Sequence, residues 1–160
     1  MSITSPQTIY VASDHAGFEH KAAIVAWLES ENYTVMDVGA MHYDVLDDFP
    51  DYVMQAAIAV AAAPAARVGI LFGGSGQGEA MAANRFPGIR ATVYYGGDTS
   101  IIDLSREHND ANVLSIGARF VSIDEAKHVI WQWLHHDALA DEKYGRRNRK
   151  LDTIARVRTS

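Results

Sequence analysis

VGILFGGSGQGE, residues 68–79, is an apolar run that passes directly into a glycine-rich loop. Five consecutive apolar residues predict a strand at 68–72 that is buried on both faces, as strands of parallel sheets are. The loop then opens a short helix predicted at 79–84. A buried strand that turns through glycines into a helix is typical of α/β proteins.

The same alternation of strand and helix continues in both directions from this unit. It predicts one domain over residues 1–160, α/β in class, as a Rossmann-like (flavodoxin-like) three-layer sandwich with a five-stranded parallel sheet. The other strands are predicted at 8–12, 33–38, 89–95 and 112–116. The other helices are predicted at 18–31, 51–63, 100–107, 123–134 and 142–157.

Composition indicates a soluble globular protein, because 48% of the 160 residues are hydrophobic and 21% are charged. The sequence has no cysteine, which excludes disulfides, thiolate zinc sites and a cysteine base. Residues 1–7 do not resemble a signal peptide, and the apolar run at 56–66 is broken by Pro64. We therefore expect a cytoplasmic protein without a membrane partner.

Charge is distributed unevenly along the chain. The formal net charge of −6 argues against a nucleic-acid-binding protein. Half of the 14 basic residues nevertheless lie near the C-terminus: Lys143, Arg146, Arg147, Arg149, Lys150, Arg156 and Arg158. This basic cluster is either a solvated helix face or an anion-binding element.

Ligands of parallel sheets bind at the carboxyl ends of the strands. The chemistry is therefore expected at Ser13–His15, Gly73–Glu79, Tyr94–Asp98 and Gly117–Arg119. The Asp-rich segment 40–49 is the one long surface loop, and loops of that kind are often functional.

The glycine-rich loop has the composition of an anion-binding turn. Its glycines allow successive backbone N–H groups to point at a phosphate or at a developing enediolate oxygen. It lacks the Lys-Ser/Thr ending of a P-loop, and Glu79 stands where a dinucleotide fingerprint needs its last glycine. A tight turn without a ligand is the alternative.

Glu79 and Ser75 are the candidate reactive groups of this loop. A carboxylate beside N–H donors is what an enediol isomerisation requires, because the base moves a proton between neighbouring carbons while the donors stabilise charge on oxygen. Ser75 could hydrogen-bond the same oxygens. Alternatively, Glu79 is a first-turn acid favoured by the helix dipole.

Three further polar residues lie outside the predicted core. Asp14 and His15 follow the first strand, where Asp14 is alternatively a helix N-cap and His15 a surface histidine. His108 stands outside the apolar stripe of Ile101, Ile102 and Leu104 and could protonate a ring oxygen. The remaining histidines lack metal-ligand spacing, so no metal or cofactor is expected.

Four motifs in order resemble the type B ribose-5-phosphate isomerases, which are grouped with galactose-6-phosphate isomerases. The likeness extends from about Tyr10 to Ile154. The motifs are Ser13-Asp14-His15-Ala16-Gly17-Phe18-Glu19, Gly73–Glu79 with Ala82-Ala83-Asn84-Arg85, Ser105-Arg106-Glu107-His108-Asn109, and Ile116-Gly117-Ala118-Arg119.

This resemblance implies interconversion of ribose 5-phosphate and ribulose 5-phosphate through a cis-enediolate. It implies a homodimer or a dimer of dimers with shared active sites, in which a C-terminal helix at about 141–158 packs on the partner. His108 would open the sugar ring. Substrate would be bound by Asp14, His15, Gly74, Ser75, Gly76, Gln77, Gly78, Asn109, Arg119, Arg146 and Lys150, the last three holding the phosphate.

This sequence departs from the resembled pattern at three positions. Many members carry a cysteine base where Gly73 stands, so the base is expected to be Glu79, as in the other branch of the family. Lys150 replaces the second of two C-terminal arginines, so the second phosphate-binding role belongs to Lys150, Arg147 or Arg149. Phe49 replaces a tyrosine of an Asp-Tyr-Pro motif.

Two alternatives remain open at this point. One is an isomerase of another sugar phosphate, namely galactose 6-phosphate, allose 6-phosphate or a tetrose phosphate. The other is a flavodoxin-like ligand-binding module without catalysis.

Overall fold

A computed structural model describes residues 7–157 and the side chains up to residue 154. The Arg156 side chain and Arg158, both in the basic cluster, lie outside that description. The strands are β1 (Thr8–Ser13), β2 (Thr34–Asp37), β3 (Arg67–Gly73), β4 (Ala91–Tyr94) and β5 (Val113–Gly117). The helices are α1 (Phe18–Ser30), α2 (Phe49–Ala62), α3 (Gln77–Ala83), α4 (Ser100–Asn109), α5 (Ile123–Leu134) and α6 (Glu142–Val157), and a 3₁₀ turn spans His15–Gly17.

The five strands form one parallel sheet in the order β2-β1-β3-β5-β4. This confirms the Rossmann-like α/β class and the five-stranded parallel sheet. The last two strands are exchanged relative to the flavodoxin order, because β5 lies between β3 and β4. The chain leaves β1 toward one edge and crosses back for β3, so the topological switch lies between β1 and β3.

Helices cover both faces of the sheet and produce two cores. Ile9 and Val11 of β1 point to the side of α1, α4 and α5, where Trp133 is fully buried. Ala12 points to the opposite side, against the α2 residue Val53. Each aliphatic side chain buried in this way contributes about 1.5–3 kcal/mol. The three-layer arrangement expected from the sequence is confirmed.

Element boundaries differ from those predicted by one or two residues in most cases and not at all for α5 and α6. Helix α2 begins at Phe49 rather than Asp51, because Pro50 is accommodated in its first turn, where no N–H is needed. Strand β4 is shorter than predicted, since the Arg90 N–H donates to the Asn112 side chain instead of a strand partner.

Helix α4 extends to Asn109 and ends where Asp110 adopts a left-handed φ of 44°. The buried Arg106 guanidinium anchors this end by donating to Asp110 and to the Ala111 carbonyl. Of the predicted apolar stripe on α4, only Ile102 is buried, whereas Ile101 and Leu104 are exposed. The buried part of the apolar stripe on α4 is therefore smaller than the sequence predicted.

Among the helices that the structure describes, none combines the length and the apolar character that crossing a bilayer would take.

Candidate active site

The first and third strands end side by side. They pair in register from Thr8 with Arg67 to Ser13 with Phe72, so Asp14 and Gly73 leave the sheet next to each other. The turn after β1 packs directly on β3, and a Cβ added to Gly17 would lie 2.4 Å from the Phe72 Cβ. Glycine at 17 therefore permits the close approach of Asp14 to the glycine-rich loop.

The glycine-rich loop is held by the end of β5. Gly76 has a φ of 76°, which favours glycine, and its carbonyl accepts a hydrogen bond from the buried Ser115 Oγ at 2.6 Å. Within residues 7–157, the backbone N–H groups of Gly74, Ser75 and Gly76 donate to no acceptor. The loop thus presents unused N–H donors at the carboxyl edge of the sheet, as an anion site requires.

Glu79 lies beneath this loop, in the first turn of α3, with 4% of its surface exposed. Its carboxylate fills the space beside Gly73, where an added Cβ would be 1.9 Å from Oε1. Burial raises the pKa of the Glu79 carboxyl; its own backbone N–H opposes that rise, and the Asp14 carboxylate adds to it. The group is therefore a carboxyl whose affinity for a proton is increased.

Asp14 and His15 follow β1, next to the end of β3 and close enough for the Asp14 charge to act on Glu79. Asp14 caps the 3₁₀ turn, since its Oδ1 accepts from the Ala16 N–H at 3.0 Å. The His15 ring approaches Asp14 Oδ2 at 3.7 Å and Asp47 Oδ1 at 2.6 Å. Asp14 thus has the capping role as well as a place at the candidate site.

Sequence reasoning missed Asp47, which is 32 residues from His15 along the chain. Its only sequence signal was the long Asp-rich loop, residues 40–49, that carries it. Among the residues described, one group of three His, Asp or Glu side chains has its possible metal-ligand atoms within 4.8 Å of one another, namely Asp14, His15 and Asp47. Because the His15 Nδ1 is already hydrogen-bonded to Asp47, we assign these residues as a hydrogen-bonded set rather than metal ligands.

Arg119 brings a positive charge to the loop. It follows β5, its side chain is exposed, and its backbone N–H donates to the Gly74 carbonyl at 3.1 Å. A Cβ added to Gly74 would lie 3.1 Å from the guanidinium Cζ. On the other side of the loop, Gln77 is exposed and Gly78 packs against the Phe49 ring.

The remaining candidate residues lie at the opposite edge of the sheet. Helix α4 runs back from the end of β4 to the start of β5, so its last residues, His108 and Asn109, are at the amino edge. The His108 ring stacks on Tyr144 of α6 with centroids 4.3 Å apart, and its carbonyl accepts from Asn148 at 3.2 Å. Arg146 and Lys150 are exposed on the same helix.

A cavity of about 600 Å³ opens at this amino edge between β4, α4 and α6. It is lined by Asn109, Arg90, Leu151 and Ile154 among others, and by no residue of the group around Glu79. Strand β5 alone has five residues, which span roughly 16 Å. One chain therefore cannot bring Glu79 and His108 to the same small substrate.

Comparisons with known proteins match almost the whole chain. A family model described as Ribose/Galactose Isomerase matches residues 9–154. Ribose-5-phosphate isomerase B of Mycolicibacterium paratuberculosis is 39% identical over 150 residues, covering 92% of this chain and 89% of the relative. The Escherichia coli enzyme of that name is 38% identical over 144 residues, covering 90% and 91%. This chain belongs to the ribose/galactose isomerase family.

Solved structures of family members share the fold. Ribose-5-phosphate isomerase B of Clostridium thermocellum superposes with a TM-score of 0.88 at 33% identity, covering 96% of this chain and all of that one. The Mycoplasma genitalium protein, solved with bound ribulose-5-phosphate, gives a TM-score of 0.85 at 31% identity and covers 96% and 97%. The predicted membership of the ribose/galactose isomerase family is confirmed.

Proposed function

We propose that this chain is an aldose–ketose isomerase that interconverts ribose 5-phosphate and ribulose 5-phosphate through a cis-enediolate. Family membership and the names of the relatives support this substrate. The observation that carries the chemistry is the buried Glu79 carboxyl, held beside Gly73 under a loop of unused N–H donors.

Ring opening is the first step. His108 protonates the furanose ring oxygen as the C1–O bond to that oxygen breaks. The O1 hydroxyl gives its proton to water, from which His108 is reprotonated, so no net proton is consumed. The product is the open-chain aldehyde. Stacking on Tyr144 and the hydrogen bond from Asn148 to its carbonyl hold His108 in place for this role.

Isomerisation then follows at C1 and C2. The Glu79 carboxylate removes the C2 proton, and the electron pair of that C–H bond forms the C1–C2 double bond while the carbonyl oxygen takes up negative charge. The N–H groups at Gly74–Gly76 and the Ser75 hydroxyl stabilise that oxygen. Glu79 returns the proton to C1, and the proton of the O2 hydroxyl moves to O1, so that O2 becomes the ketone oxygen and O1 becomes a hydroxyl.

The raised pKa of Glu79 suits a base that has to keep a proton between two steps. A carboxylate with an ordinary pKa would give up the proton to water more readily, whereas a buried one retains it. Burial of Glu79 at 4% exposure also limits its contact with solvent. Direct return of the same proton to the neighbouring carbon is therefore favoured.

A second copy of the chain completes the site in this proposal. In the proposed dimer, the glycine-rich loop and Glu79 of one chain would be faced by residues from the amino edge of the partner's sheet: His108, Asn109, Arg146 and Lys150. Arg146 and Lys150 are one helical turn apart and exposed, so they can meet a phosphate together with Arg119 of the other chain. Lys150 supplies a point charge rather than a bidentate fork.

Isotope exchange combined with one variant tests the proposal. Ribose 5-phosphate incubated in deuterium oxide should gain deuterium at C2 more slowly than a coupled assay shows ribulose 5-phosphate forming, because the buried Glu79 returns most of the protons that it removes. Glu79→Gln should lower kcat by about 10³-fold or more, since it removes the only proposed base. Glu29→Gln, which removes an exposed carboxylate from the last turn of α1, is the matched control.

The alternatives predict different outcomes in the same assays. Turnover of galactose 6-phosphate, allose 6-phosphate or a tetrose phosphate without turnover of ribose 5-phosphate would change the assigned substrate but not the mechanism. A ligand-binding module would bind sugar phosphate without isomerising it, and Glu79→Gln would leave that binding unchanged. Either result would overturn the proposal as stated.

A further inference from the structure

We propose that Asp47 is a positioning residue for the isomerase reaction: its carboxylate fixes the His15 ring so that Nε2 donates a hydrogen bond to an anionic oxygen of the sugar phosphate. This inference rests on the proposed function, in which His15 contacts the substrate. Asp47 itself does not touch the substrate and acts through His15.

One oxygen of Asp47 accepts two hydrogen bonds from His15. Oδ1 lies 3.1 Å from the His15 backbone N–H and 2.6 Å from its Nδ1. Because a carboxylate can only accept, the ring proton is on Nδ1. Nε2, on the opposite side of the ring, is hydrogen-bonded to no group among residues 7–154 and is left for a ligand.

The Asp47 carboxylate is buried, with 7% of its side chain exposed, although it belongs to a surface loop. That loop is internally bonded: the Asp47 N–H donates to the Asp44 carbonyl at 3.1 Å, and Asp44 Oδ1 accepts from the Leu46 N–H at 2.9 Å. The first turn of α2 begins at Phe49 and fixes the other end. The loop therefore holds Asp47 on His15 as a structured element.

The charged groups that face His15 favour its cationic form. The hydrogen bond to Asp47 is the main cause that raises the His15 pKa; burial opposes it, the charges of Asp14 and Asp47 add to it, and Arg119 opposes it. The titratable Tyr43 ring also faces His15 edge-on, with the two ring centroids 6.2 Å apart. A cationic imidazole is a donor at both nitrogens, which suits an anionic substrate.

Kinetics of Asp47→Asn against pH provide the first test. Asparagine keeps the shape and an acceptor oxygen but removes the charge, so His15 becomes neutral at lower pH. Between pH 6 and pH 8, the KM of Asp47→Asn for ribose 5-phosphate should rise at least about 10-fold more than the KM of the native chain does. The kcat should change less than about threefold. Asp51→Asn removes the same charge from an exposed position in the first turn of α2 and should leave the KM profile unchanged.

Nuclear magnetic resonance of the histidine ring nitrogens provides a test that does not depend on activity. In the native chain, His15 should titrate above the ordinary value of about 6.5 and retain a proton on Nδ1, and Asp47→Asn should lower that titration midpoint. If the chain has no isomerase activity, the function proposal fails while this test still decides the role of Asp47. A midpoint that is ordinary in the native chain, or identical in Asp47→Asn, would overturn the inference even if the variant folded poorly.

Discussion

Gly73 and Glu79 compete for one small space at the end of β3. A side chain on residue 73 would begin 1.9 Å from the Glu79 Oε1, so the carboxylate can lie there only because the position has no Cβ. The family resemblance implies a cysteine base at that place in many members. A side chain at residue 73 and the Glu79 carboxylate are therefore sterically alternative occupants of this space.

The substitution Gly73→Ala should displace the Glu79 carboxylate. A shift of about 1 Å in a catalytic group can lower kcat by about 10²-fold, which is the loss we expect in the coupled assay. Gly69→Ala in the same strand is the control, because its Cβ would meet side-chain methyls of Val113 and Val60, the nearest at 3.2 Å, and no part of the candidate site. Equal activity of the two variants would contradict the steric argument.

Glu79 should also cost stability when it is ionised. The pKa of Glu79 in the folded state is raised above the ordinary 4.5. Its contribution to the free energy of unfolding is therefore fully favourable below pH 4.5 and is lost as the pH rises through the raised pKa of the folded state. Glu79→Gln should therefore increase the free energy of unfolding at pH 7 by about 1 kcal/mol. Urea unfolding at pH 7 and pH 4 checks this, and a gain of the same size at both pH values would argue against it.

Single residues of the site were predictable where they follow a strand along the chain. A buried apolar strand directly precedes Asp14 and His15, and another precedes the glycine-rich loop with Glu79. The sequence therefore predicted that these residues lie at the carboxyl edge of the sheet. Asp47 was not predictable, because its contact with His15 depends on how a loop folds back over 32 residues. No local pattern specifies such a return.

Elements were most predictable where a cap and an amphipathic period agree. Helix α5 has the predicted bounds because the Ser122 Oγ accepts from the Glu125 N–H and so marks its start. Strand β4 was predicted too long, since Ile89 is apolar but packs in the α2–α3 core outside the sheet. Burial alone does not distinguish a strand residue from a buried loop residue.

Helix α6 packs on its own chain through some of its residues and exposes others to solvent. Tyr144 and Asp152 contact α4 and the Arg90 guanidinium, whereas Leu151 and Ile154 are 49% and 62% exposed. The role of this helix at a partner site was expected from the family resemblance and stays a prediction. Mutation of its exposed basic residues Arg146 and Lys150 tests that role.

Replacing Arg146 or Lys150 with alanine should weaken phosphate binding. A hydrogen bond to a charged group contributes about 1.5–3 kcal/mol, so we expect the KM for ribose 5-phosphate to rise about 10-fold or more, with a smaller change in kcat. Lys127→Ala, which removes the same charge from α5, should behave as the native chain. A KM unchanged in both α6 variants would exclude this helix from the phosphate site.

The whole molecule separates the candidate groups between two edges of one sheet. Parallel strands direct Asp14, the loop, Glu79 and Arg119 to the carboxyl edge, whereas the return of α4 places His108 at the amino edge. The fold class was predictable because it follows from the order of strands and helices. The separation was harder to predict, because the chemistry of a side chain carries no information about the edge of the sheet at which it lies.

Complementation between two inactive variants tests this arrangement most directly. Glu79→Gln and His108→Ala chains are each expected to have low activity as homodimers. When the two are unfolded, mixed in equal amounts and refolded, half of the dimers should be mixed, and each of these should carry one intact site. Recovery of about one quarter of the native activity is therefore expected. Mixed dimers confirmed by mass spectrometry but without recovered activity would rule out a site shared between two chains.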